Sequence, residues 1–356
     1  MRIVSLSEVL PGDPITNAEL ADRFGLHAAW LDAMTGNRSR HFCSPDSAPG
    51  VPKTTTELAV AAGEKALASA GLGPESIDFL VLATASPEHL MPATAALVAD
   101  ALGINEVPTL QLTSGCAGAL QGLYTARGLL ASGMGRGLVI GADSCQKMWP
   151  KQADLRTMKP AAVVNLALFG DGAGAAVVDA DDDGPGLVLE QIFLRTCGMG
   201  RKPAQVVRWY GVDGAPMVDG PRGTQTRESM AEEDYKAIET HVPEMAEQIL
   251  KELSARTGWD PAGVEHVLTP QLNGIMTEKI REHMGVSAAS AVSCVAETGN
   301  NGNALPFVQL NRAMRRIESG VGVGGRVLVV TVESSKWVKA GMALRHSQGA
   351  LAGSVS

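Results

Sequence analysis

Aromatic side chains are scarce in this sequence: they fill only 4% of its 356 positions. Cysteine is scarcer still, with five residues at Cys43, Cys116, Cys145, Cys197 and Cys294. The number is odd, the spacing is wide and no C-x-x-C occurs, which excludes a disulfide framework and a cysteine-based zinc site. The seven histidines are scattered with no H-x-x-x-H pair, so no metal site is expected. Basic charge is not in excess. The formal net charge is −8, which argues against a general nucleic-acid or anionic-membrane surface. No apolar run reaches membrane-spanning length. The first residues, MRIVSLSEVLPGD, lack the long apolar core and small-residue cleavage site of a secretory signal and read as a short strand. The expectation is a soluble, cytoplasmic protein.

What is present is a core. Hydrophobic residues make up 45% of the chain and glycines number 40, the composition of a compact α/β enzyme. The sequence also repeats itself once. LASAGLGPESIDFLVLATAS (67–86) resembles LSARTGWDPAGVEHVLTPQL (253–272), with Pro74 matching Pro261 and Asp78 matching Glu265 at an offset of 187. Ser132-Gly133 and Ser319-Gly320 keep the same offset, and GRGLVIGADS (135–144) resembles GGRVLVVTVESS (324–335). Helices alternating with buried-type strands predict α/β layers built from a duplicated unit. The turn-rich acidic stretch DADDDGPG (179–186) predicts the division, with one half over 1–180 and the other over 181–356.

Within the first half, LTSGCAGALQGLYTARGLL (112–130) sets Cys116 among small residues where a loop ends and an amphipathic helix begins. Unpaired N–H groups at a helix start favour the thiolate, and a thiolate there can accept an acyl group. Gly115, Ala117 and Gly118 leave room for an incoming thioester. The other four cysteines have no such surroundings.

Five blocks then carry a family resemblance across nearly the whole chain: WLDAMTGNRSRHF (30–42), PATAALVADALG (92–103), SGCAGAL (114–120), LFGDGAGAAVV (168–178) and GNNGNALP (299–306). They resemble, in order, the ketoacyl-ACP synthase III family of the thiolase superfamily and its acyltransferase relatives. The resemblance implies a thiolase-like five-layered α-β-α-β-α fold from two duplicated halves, a homodimer and a Cys116 acyl-enzyme. It implies no bound cofactor, with acyl-CoA or a phosphopantetheine-linked acyl carrier protein as donor. Trp30 stands where the family stacks on the CoA adenine, with Met34 in place of the Arg on its other side. Met91 stands in the loop that reaches the partner's acyl pocket, and Phe169 is expected at the pocket wall. Arg38 and Arg40 could meet acidic helices of a carrier protein. Asp171, among glycines, is read as structural.

The resemblance breaks where the family keeps its catalytic His. HVLTPQLNGIM (266–276) puts Pro270 at that position, Gln271 at the next and Asn273 at the block's Asn. His266 lies four residues earlier, roughly 13 Å along a strand, too far to substitute. Asn300 falls at the catalytic Asn, with Asn301 and Asn303 as alternatives because the block is one residue short. In TVESSKWVKAGMALR (331–345), Glu333 replaces a Phe and Ser334 and Ser335 replace glycines. Glu333 is therefore a candidate base, with a structural carboxylate as the bland alternative. A backbone N–H in that loop, placed at Ser335, would complete an oxyanion hole with the N–H of Cys116. The polar insert VDGPRGTQTRESMAEEDYK (218–236) reads as a cover over the substrate tunnel.

Three readings follow. The first is an acyltransferase that moves a preformed acyl group through Cys116 to a hydroxyl or amine of a small-molecule acceptor in secondary metabolism. The second is a decarboxylative condensing synthase with a rearranged site using Asn273, Asn300 or Glu333. The third is a silent subunit that binds an acyl carrier.

Overall fold

A computed structural model describes residues 1–148, 160–209, 214–219, 225–321 and 325–348. Nine strands form one hydrogen-bonded array. In spatial order they are His266–Leu268, Arg326–Glu333, Val338–Gln348, Pro185–Thr196, Arg2–Val9, Gly172–Asp179, Arg136–Asp143, Phe79–Thr84 and Thr109–Thr113. The array is two sets joined weakly in the middle. Arg2–Val9 meets Pro185–Thr196 through only two residue pairs, Arg2 with Val188 and Ile3 with Leu187.

The two sets match in order and direction, with one strand excepted. In the first, Phe79–Thr84 runs parallel to Arg136–Asp143, which runs antiparallel to Gly172–Asp179. In the second, His266–Leu268 runs parallel to Arg326–Glu333, which runs antiparallel to Val338–Gln348. The helices Gly118–Ala131 and Leu305–Glu318 begin at the same 187-residue offset that the sequence repeat shows. One strand has no full counterpart: opposite the edge strand Thr109–Thr113, the second half keeps a single parallel bridge, Val267 to Ala291.

Side-chain alternation makes the layers. Along Phe79–Thr84, Phe79 and Val81 join a central core while Leu80 and Leu82 join an outer one. Along Arg326–Glu333, Val327 and Val329 face the centre while Leu328, Val330 and Val332 face the opposite outer layer. Both faces of each set are therefore covered, which explains why these strands read as continuous apolar runs. The central core holds Leu120 and Leu123 from one middle helix and Phe307 and Leu310 from the other. Thr55–Ala70 and Thr94–Leu102 cover one outside, and Tyr235–Thr257 and Gly274–His283 the other. The result is the five-layered thiolase-like α-β-α-β-α fold. No helix among the described residues is long and apolar enough to cross a membrane.

This arrangement brings equivalent strand ends together. Arg136–Asp143 ends on an acid and so does its counterpart Arg326–Glu333. Both acids lie near the start of the middle helix Gly118–Ala131, close enough to act on Cys116.

Candidate active site

The edge strand Thr109–Thr113 leads through Ser114 and Gly115 to Cys116, and the helix begins at Gly118. Gly118 N–H closes the turn on Gly115 O at 2.9 Å. A methyl group on Gly118 would overlap Asn303 Oδ1 and Ser114 Oγ, so the motif needs its glycine there. The close approach has a purpose. Asn303 Nδ2 donates to Ser114 O at 2.8 Å and to Asp143 Oδ2 at 2.8 Å, and Ser114 Oγ donates to Asn303 Oδ1 at 3.2 Å. Asn303 N–H adds a third bond to Asp143 Oδ2 at 2.8 Å. On its other oxygen Asp143 accepts from Ala85 N–H, Thr84 Oγ1 and Ser86 Oγ. A buried carboxylate and a buried amide thus tie the cysteine turn to two strand ends of the first half and to the Asn-rich turn of the second.

Cys116 opens into a small cavity of about 50 Å³. Its wall includes Ala85, Gly115, Asp143, Cys145, Asn165, Phe169, Gln205, Glu233 and Gly302. Phe169 lies on the wall. It belongs to an apolar cluster against which Trp30 packs. Asp143 and Glu233 are acids of that wall, and it carries no His, Lys or Arg among the described residues.

The cavity's electrostatics correct one expectation. Burial pushes the Cys116 thiol up to about 12, and the charges of Glu333, Glu233 and Asp143 add to the effect. Burial and three nearby carboxylates thus work against the thiolate that the helix start favours. Cys145, on the same wall, is likewise pushed upward by burial.

Glu333 is buried at its strand end, beside Gly115, where a Cβ would meet its Cγ at 3.3 Å. Gln121 Nε2 donates to its Oε2 at 3.3 Å and Ser335 Oγ donates to its Oε1. Ser335 therefore lies near the site, but its hydroxyl is engaged with Glu333. Asn300 is buried and pairs its backbone with Phe169. Its Oδ1 accepts from Gly302 N–H at 3.0 Å, while its Nδ2 makes only a loose 3.4 Å contact with Leu272 O. Asn301 is tied to Asp171 O and Thr298 O.

Other expected residues sit elsewhere. Asn273 does not reach the cavity wall. It caps the helix Gly274–His283, with Oδ1 accepting Met276 N–H at 2.8 Å, so its side chain is committed to the helix start. Gln271 accepts from the N–H groups of Cys294 and Val295 and is a packing amide. His266 is a packed strand residue, 1% exposed. Arg40 cannot meet a carrier protein: it is fully buried and donates to Ala167 O and Ile15 O. Arg38 is exposed and pairs with Glu297. Met91 is 88% exposed and does not line its own chain's cavity. Asp171 accepts from Cys43 N–H, Gln146 N–H and Ser144 Oγ, a structural role.

Residues 220–224 of the polar insert lie outside the described residues, and its last strand lines the cavity with residues the motifs did not signal. Ala231–Glu233 pairs antiparallel with Gln205–Val207, and Gln205, Val207, Ala231 and Glu233 all line the cavity. Gln205 Nε2 donates to Glu233 Oε1 at 2.7 Å. The Tyr235 hydroxyl lies between Asn165 Oδ1 and the Glu233 carboxylate. Burial raises the Glu233 carboxyl to about 7. The one available signal was the run EED before a helix, where Asp234 is the helix cap.

Comparison with known proteins agrees with this geometry. The family model for 3-oxoacyl-acyl-carrier-protein (ACP) synthase III matches residues 110–196. Beta-ketoacyl-acyl-carrier-protein synthase III 3 of Streptomyces coelicolor is 32% identical over 342 residues, covering 92% of each chain. Acetoacetyl CoA synthase NphT7 of Streptomyces sp. strain CL190 is 29% identical over 88% of this chain and 90% of its own. The solved structure of AbyA1, a tetronic acid condensing enzyme, superposes with a TM-score of 0.86 at 43% identity, over 96% of this chain and 99% of that one. With its cysteine turn, its duplicated layers and full-length relatives of this kind, the chain belongs to the ketoacyl-ACP synthase III family of acyl-transferring and condensing enzymes.

Proposed function

We propose that the protein joins two acyl thioesters without decarboxylation. Cys116 takes one acyl group from a carrier-protein or CoA thioester and passes it to a nucleophilic oxygen or carbon of the second. One observation carries this reading: the thiol opens onto a wall whose charged groups are carboxylates, with no cationic side chain among the described residues. Decarboxylation of a malonyl thioester leaves an enolate that needs hydrogen-bond donors or positive charge. Here Pro270 stands where such a donor is expected, and negative charge would repel both the malonyl carboxylate and the enolate. A hydroxyl, or a carbon flanked by two carbonyls, asks instead for a base.

The likeness to a tetronic acid condensing enzyme fits this division. A tetronic acid ring contains one ester C–O bond and a carbon flanked by two carbonyl-level carbons, so joining two thioesters into it needs one new C–O bond and one new C–C bond from that carbon to an acyl carbon. Each can be made by acyl transfer. The expected transfer to a hydroxyl is then one half of a condensation. We also propose a homodimer in which the exposed Leu90 and Met91 of each chain contact the other, and donor binding beside Trp30.

The test is intact-protein mass spectrometry of the wild type and Cys116→Ala with a panel of acyl-CoA and acyl-carrier thioesters. Gain of one acyl group, lost in the variant, is expected. Adding a 3-oxoacyl or hydroxyacyl thioester should discharge the acyl-enzyme. A malonyl thioester should release no CO₂, and stoichiometric CO₂ release would refute the reading.

A further inference from the structure

We propose that Glu233 is the general base of this site, taking the Cys116 proton during acyl loading and the acceptor's proton during discharge. The inference rests on the acyl-enzyme reading above. It deepens that reading by naming a residue from the covering hairpin as part of the chemistry.

Geometry singles it out from the other carboxylates. Asp143 lines the cavity, but its oxygens already accept from five donors on Thr84, Ala85, Ser86 and Asn303. Glu333 lies beside Gly115, accepts from Ser335 and Gln121, and is not on the cavity wall. Glu233 faces the cavity with Gln205 on one oxygen and the Tyr235 hydroxyl near its carboxylate, which leaves lone pairs for a reacting proton. It is also held firmly. Its strand pairs with Gln205–Val207, and the next residue, Asp234, caps the helix Tyr235–Thr257 through Ala237 N–H at 3.0 Å. The titratable groups around it are Tyr235, Cys116, Cys145 and Asp143, and no cation faces it among the described residues. Burial sets its carboxyl near 7, matched to a base working at neutral pH.

The steps balance. As Sγ bonds the donor carbonyl carbon, its proton moves to Glu233. The donor C–S bond breaks and the departing thiolate leaves with that proton as a free thiol. In discharge, Glu233 takes the acceptor's O–H or C–H proton while the new bond forms at the acyl carbon. The Sγ–C bond then breaks, and Cys116 recovers the proton. Because the resting thiol is far less acidic than the carboxyl, transfer must accompany bond formation, which is general-base catalysis.

The experiment compares wild type, Glu233→Gln, Glu233→Asp and Cys116→Ala as full chains. Rapid-quench intact mass measures loading from the acyl-CoA and acyl-carrier panel between pH 5.5 and 9. Iodoacetamide alkylation of Cys116 is followed in parallel. Wild-type loading should rise through about pH 7. In Glu233→Gln it should fall by about a hundredfold or more and lose that inflection. Alkylation should instead become faster, because a negative charge that suppresses the thiolate is gone. Glu233→Asp should recover the inflection at an intermediate rate. A merely structural Glu233 would slow both reactions together. Loading of Glu233→Gln within about fivefold of wild type with an unchanged pH profile would overturn the proposal and leave the acyl-enzyme intact. Loading that survives Cys116→Ala, or no loading of wild type by any donor, would overturn the acyl-enzyme reading and this one with it.

Discussion

Asn303 is the place to test how the cysteine turn is held. It is fully buried, and its amide joins Ser114 O to the Asp143 carboxylate. Asn303→Ala removes one bond to a charged acceptor, about 2 kcal/mol, and leaves the Ser114 carbonyl buried without its partner, about 1–2 kcal/mol more. The expected loss is about 3–4 kcal/mol, a large share of a typical folding free energy. Gly118→Ala alone forces a methyl into Asn303 Oδ1 and should cost about 1–3 kcal/mol by overpacking. In the double variant the obstructing amide is gone. Ser114 Oγ can rotate away, so the second substitution should cost little. Urea denaturation of the four proteins should therefore show a coupling of at least about 1 kcal/mol towards rescue. On the proposed acyl-enzyme reading, loading of Asn303→Ala should fall by about tenfold or more, since Ser114 is two residues before Cys116. Additivity within about 0.5 kcal/mol, with normal loading, would refute the tether.

Other expectations follow from the same contacts. Asn273→Ala should cost about 1 kcal/mol of stability through loss of the cap on Gly274–His283, with Cys116 loading unchanged. Arg40→Ala should destabilise by about 3 kcal/mol or more, because three charge-assisted bonds to backbone carbonyls disappear. Arg38→Ala should stay within about 0.5 kcal/mol, being an exposed ion pair. Both are read from urea midpoints. The Glu233 carboxyl, raised by burial from 4.5 to about 7, binds more protons in the folded chain than in the unfolded one across that window. Its contribution to stability therefore falls as pH rises through it, and Glu233→Gln should remove roughly 2 kcal/mol of that decline between pH 4.5 and 8.

The fold was legible because its signals are local and repeated. Apolar runs bounded by Gly-Pro and Asp-Pro turns mark Phe79–Thr84 and His266–Leu268, and the 187-residue offset alone is enough to pair them. Cys116 was legible because a motif of small residues surrounds it. Arg40 was misplaced because a two-residue strand, Ser39–Arg40, carries no periodic pattern to show which way its second side chain points. Asn273 was misplaced for a related reason: an Asn at a family position is also a good helix cap, and the sequence Asn-Gly-Ile-Met does not tell the two apart.

The acidity of the thiol was beyond the sequence for a deeper reason. A cysteine before a helix predicts a lowered pKa if the helix is its only electrostatic neighbour. Here the opposing charges come from positions 143, 233 and 333, on three separate segments that only the folded layers bring together. Two of them, Asp143 and Glu333, are the matched strand ends of the duplicated halves, so the duplication itself places negative charge beside Cys116. Such surroundings oppose a resting thiolate, and on the proposed reading a carboxyl raised towards neutrality suits them better than one at its ordinary value. Glu233 arrives from the insert, paired with Gln205 28 residues before it. Pro270 at the family's His position and Glu233 on the cavity wall are, on the proposed reading, one change: the proton acceptor comes from the insert and not from the duplicated core.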